Sequence, residues 1–206
     1  MPKVKVPRKS TVIDMTAMCD VASLLLTFFI LTATARQPEP LPVDTPSSVV
    51  KIKMPATGIG TLTIGEGKVF FGVTDQPVRE RMLQRVSERF NMTFTPEEIK
   101  RFKLMDSFGV PFGQLKQVIA LSSEKRNTPG LQSGIPVDSI GANPSELYQW
   151  IVNARYAYKE QTGDDLRISI KGDSKENVKL IKKIIAILQS QEVNKFSLIT
   201  SLEGAD

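Results

Sequence analysis

Residues Met15 to Ala35 (MTAMCDVASLLLTFFILTATA) are the only run in this chain that reads as a membrane-crossing helix, and one carboxylate, Asp20, stands inside it. About 20 apolar residues are what an α-helix needs to cross the hydrocarbon core, so a single transmembrane helix is expected over residues 15–36. An ionised aspartate well inside such a helix costs about 2.5–3.5 kcal/mol on insertion scales. Residues of that kind face a partner helix or a water-filled path. Asp20 is therefore the first candidate for function, as a proton-carrying group.

The neighbours of Asp20 follow from helix geometry. At about 100° per residue, Thr16, Asp20, Ser23, Thr27 and Thr34 share a sector about 60° wide, while Val21, Ala22, Leu25, Phe28 and Phe29 cover the far side. Small and hydroxylated residues also pack transmembrane helices against one another, so the hydroxyls read either as a polar path or as a helix-packing face. A carboxylate on the same line favours the path, because packing alone has little use for an ionisable group at that depth. Asp14, just before the helix, reads equally as a cytoplasmic exit group or as a helix cap.

Charge sets the expected orientation. Of the net charge of +5, Lys3, Lys5, Arg8 and Lys9 against Asp14 supply +3, Asp20 and Arg36 cancel, and residues 37–206 hold only +2. Basic residues ahead of the span place the N-terminus, a basic tail over 1–14, in the cytoplasm and the large C-terminal part across the membrane. A nucleic-acid binder would concentrate its basic residues on the folded domain, and this chain does not. A basic stretch, the apolar VASLLLTFFIL and Ala33-Thr34-Ala35 also imitate a cleavable signal peptide. Against that reading stand Asp14, Asp20 and a polar stripe that a discarded peptide has no use for.

Beyond Arg36, residues 37–48 (QPEPLPVDTPSS) carry four prolines. They read as a linker, either a polyproline II spacer reaching roughly 30 Å or an unstructured tether. A domain over 49–206 follows. Val49 to Met54, Gly60 to Ile64 and Lys68 to Val73 alternate as strands, with Gly65-Glu66-Gly67 as a hairpin turn. The glycines do not make a phosphate loop, because Leu62 and Val69 stand where that motif needs Gly and Ser or Thr.

Residues 76–164 read as a helical insertion. Val78, Met82, Val86 and Phe90 form one face, Thr95 to Glu98 fits a capping box, and Ile99, Phe102, Leu104 and Met105 supply a core face. A loop is expected over 122–141. Asn143-Pro144 is expected to open a helix to about Gln161 that buries Leu147, Ile151, Ala154 and Tyr158. Leu166 to Lys171 alternates as a strand, Gly172-Asp173-Ser174 reads as a turn and N-cap, Glu176 to Gln189 as a helix burying Val178, Ile181, Ile184, Ile185 and Leu188, and Lys195 to Thr200 as a closing strand. The expected fold class is α+β, a mixed-sheet domain behind one membrane helix.

The run Ile13-Asp14-Met15-Thr16-Ala17-Met18-Cys19-Asp20-Val21, followed by Leu24-Leu25-Leu26-Thr27-Phe28-Phe29, resembles the signature of the ExbD/TolR biopolymer-transport family: a polar entry, a buried Asp and an apolar helix. Arg167 to Lys171, Gly172-Asp173, the helix after them and Phe196 to Ile199 look like the end of that family's periplasmic domain. The resemblance covers residues 8 to 73 and 165 to 201. Ala17 stands where the family often has Pro, and the long middle resembles the extended variants of Bacteroidetes-type bacteria.

The resemblance implies an inner-membrane, proton-motive-force-driven motor. In it, dimeric helices sit inside a pentameric ring of an ExbB-like multi-pass protein, and the periplasmic domains act on a TonB-like transducer or on envelope partners. The chemistry of the residues fits. Burial disfavours a carboxylate's charge, so Asp20 is expected to alternate between neutral and ionised forms, with Ser23, Thr27 and Thr34 ordering water. The chain has no His to relay protons and a single Cys, Cys19, within the helix. No cofactor is expected, and an enzyme is the weakest reading, because no nucleophile motif or metal-ligand cluster stands out. The rival from another class is an exported or anchored module that binds cell wall or a protein without ion coupling.

Overall fold

The computed structural model describes residues 15–33, 39–45, 47–48, 57–139, 144–173, 176–199 and 201–202. The chain separates into two compact units, residues 1–37 and 38–206. The expected strand over Val49 to Met54 lies outside the described residues.

The first unit contains α1, Met15–Thr32. At about 1.5 Å per residue it is about 27 Å long, close to the hydrocarbon thickness. The helix ends three residues short of the apolar run, with the amide of Ala33 donating to the Phe29 carbonyl at 2.8 Å.

In the second unit β1 (Ser47–Ser48), β2 (Ile59–Gly65) and β3 (Lys68–Val73) are followed by α2 (Gln76–Phe90), α3 (Pro96–Lys103), α4 (Phe112–Ala120) and α5 (Ser123–Arg126). Then come α6 (Glu146–Thr162), β4 (Arg167–Gly172), α7 (Val178–Ser190), β5 (Phe196–Ile199) and β6 (Ser201–Leu202). The main sheet has the order β3-β2-β4-β5, with β1 and β6 pairing separately in parallel. β2 and β3 are antiparallel, while β2–β4 and β4–β5 are parallel, so the sheet is mixed and the fold is α+β. The hairpin turn falls where Gly65-Glu66-Gly67 indicates. Glu66 and Gly67 both have positive φ, 52° and 70°, as a two-residue turn matched to strand twist requires.

β2 and β3 alternate poorly in sequence because both their faces are covered: every residue of the two strands except Thr61 and Lys68 is buried. One core joins Leu62, Ile64, Phe71, Ile168 and Ile170 of the sheet to Val78, Met82 and Val86 of α2, Trp150, Ile151 and Ala154 of α6, and Ile184 and Leu188 of α7. Its centre is aromatic. Phe108, Phe112 and Phe102 place their rings 4.6, 5.1 and 6.2 Å from Trp150. The helices between β3 and β4 thus share the core of the sheet.

The outer edge of β3 is closed by chain from the same region. Phe71 and Phe108 exchange backbone hydrogen bonds at 2.8 and 3.0 Å, and Ile135 donates to the Val69 carbonyl at 2.8 Å. Two glycines permit this approach. A Cβ at Gly72 would lie 2.1 Å from the Asp106 carbonyl, and one at Gly109 would lie 2.5 Å from the Phe70 ring. Arg79, buried at the start of α2, fastens the junction by donating to the carbonyls of Val73, Thr74 and Lys103 and to the carboxylate of Asp106.

Several boundaries depart from expectation, each for a local reason. Thr95 and Glu98 do make the capping box, at 3.3 and 2.7 Å. Leu104 is 64% exposed, because α3 stops at Lys103 and the turn gives the inward position to Met105. Phe90, 38% exposed, lies at the end of α2 with its ring 4.5 Å from that of Phe112. Ser145 rather than Asn143-Pro144 caps α6, accepting from the Tyr148 amide. Tyr158 on that helix is half-buried. Asn177 caps α7, so Val178 is its first residue, outside the buried stripe and exposed, while Ile181 and Ile185 are half-buried. Ser174 lies outside the described residues.

The described part of the proline-rich stretch is packed onto the domain rather than extended from it. Pro40 and Leu41 are buried, and Glu39 pairs with Lys171 of β4 at 2.6 Å. Gly65 leaves room for this contact, since a Cβ there would meet Val43 at 2.7 Å and Leu41 at 3.3 Å. Ser47 and Ser48 then pair with Ser201 and Leu202.

Candidate functional site

Asp20 is the only charged residue in α1. By helix geometry it lies about 8 Å from the start of the helix and about 18 Å from its end. Thr16 is one turn before it on the same side, Ser23 one turn after and Thr27 two turns after. Asp14 and Thr34, the outer members of the predicted stripe, lie outside the described residues.

The hydroxyls have settled partners within the helix. Ser23 Oγ donates to the Cys19 carbonyl at 2.9 Å and Thr27 Oγ1 to the Leu24 carbonyl at 2.9 Å. Thr32, off the stripe, donates to the Phe28 carbonyl at 2.7 Å. Turning back on a carbonyl of the preceding turn is a common conformation of such side chains in a helix. Their protons are engaged, and their lone pairs stay open as acceptors along the stripe. A neutral Asp20 carboxyl is a hydrogen-bond donor, and an ionised one is a fixed negative charge. The sequence pattern missed this polarity of the hydroxyls. It follows from the spacing of three or four residues between each hydroxyl and its carbonyl.

A family model, Biopolymer transport protein ExbD/TolR, matches residues 7–203. The chain belongs to the ExbD/TolR family. The match runs through the helices between β3 and β4 as well as through the anchor and the closing strands, so it is wider than the two stretches that carry the resemblance in sequence. No curated protein and no solved structure matches the chain. ExbD/TolR proteins are non-enzymatic accessory subunits of biopolymer transport that serve energy transduction, and they work generally with ExbB- and TonB-type partners. Family membership and an 18-residue helix of mean hydropathy 1.8 near the N-terminus identify a membrane-anchored protein.

The second unit holds charged groups that sequence reading did not single out as a site. Glu146, half-buried in the first turn of α6, accepts from the Phe112 amide at 2.8 Å and so serves the N-termini of two helices. Burial pushes its carboxyl above the ordinary range, and the Phe112 hydrogen bond works the other way. Arg81 and Arg85 of α2 both grip Glu160 of α6, and the Arg81 hydrogen bond, ahead of the other charges, holds the Glu160 carboxyl below its usual value. These pairs join helices. Asp164 and Asp165 are exposed, and Asp165 pairs with Lys159 at 3.2 Å.

Proposed function

We propose that this chain is the ExbD-like subunit of a proton-motive-force-driven inner-membrane motor, with Asp20 as the proton carrier. The N-terminal tail over 1–14 lies in the cytoplasm, the helix spans the inner membrane, and the domain over 49–206 lies in the periplasm. Two copies sit within a pentameric ring of an ExbB-like protein and hand the work to a TonB-like transducer. A neutral Asp20 lets α1 turn past an apolar wall of the ring, while an ionised one favours a wet or polar sector. Proton entry on one side and release on the other then biases the motion. Thr16, Ser23 and Thr27 offer acceptors along the route, with Thr34 and Asp14 at its two ends.

The observation that carries this reading is a lone carboxylate on the polar stripe of α1, in a chain of a family that serves energy transduction. Asp20→Asn keeps the size and polarity of the side chain and removes its titration. The expected outcome is loss of energy-dependent uptake with normal expression and normal assembly with the multi-pass partner. Retained uptake in that variant overturns the assignment.

A further inference from the structure

We draw no further inference here: the strongest candidate, the outer margin of the sheet at β5, where Phe196 and Leu198 are exposed, is an apolar edge and nothing in the structure shows what covers it.

Discussion

At the residue scale the most informative group in the folded domain is Glu146, because one carboxylate serves α4 and α6 while half-buried. With its carboxyl raised by burial, the folded protein holds the Glu146 proton more tightly than the unfolded chain does. The resulting stabilisation is complete below the ordinary carboxylate value and is lost as pH rises through the raised folded value. Glu146→Gln keeps an acceptor for the Phe112 amide and removes the charge. It is expected to raise the thermal unfolding midpoint at neutral pH and to leave it unchanged at about pH 4 and below. A variant less stable than the parent at neutral pH would show that the ionised form is the better partner for the two helix ends.

At the element scale the linker and the domain act as one piece over the described residues 39–45 and 47–48. Leu41 is 4% exposed, and its burial is worth about 2 kcal/mol, enough to hold a short segment that is also tied by the Glu39–Lys171 pair and by the pairing of Ser47 and Ser48 with Ser201 and Leu202. Leu41→Asp is expected to release this segment and to speed protease cleavage between residues 38 and 46 while the helical content of the domain is retained. Unchanged cleavage rates would show that the ion pair and the β1–β6 pairing suffice.

None of this docking was legible in the sequence. Prolines at 38, 40, 42 and 46 report backbone preference, whereas docking depends on Lys171, 132 positions away from Glu39. Where the information is local the sequence speaks clearly. The Thr95–Glu98 capping box, the Glu66-Gly67 turn and the α1 stripe are all set within a few residues. Leu104 and Val178 misled because a helix that stops or starts one turn away takes the periodic stripe with it. At α1 the position of Asp20 on a polar face was readable from spacing alone. What faces it is not legible in the spacing of α1's own residues.

At the scale of the whole molecule, the helices between β3 and β4 are part of the domain's core. Trp150, the single tryptophan of the chain, lies on α6 with Phe102, Phe108 and Phe112 around it, so its fluorescence reports the docking of that region onto the sheet. The fluorescence and far-ultraviolet circular dichroism transitions of the domain are expected to coincide on heating, as a shared core requires. An earlier fluorescence transition would mean that the inserted helices come away first.

Closure of the β3 edge by Phe108 and Ile135 also bears on assembly. A sheet with two free margins can recruit strands without end. Here one margin is occupied by the chain itself, and among the described residues β5 presents the other. Among the described residues such a sheet has a valence of one. Joining margin to margin, two copies exhaust each other and growth stops, so this contact can produce a finite pair but no fibre.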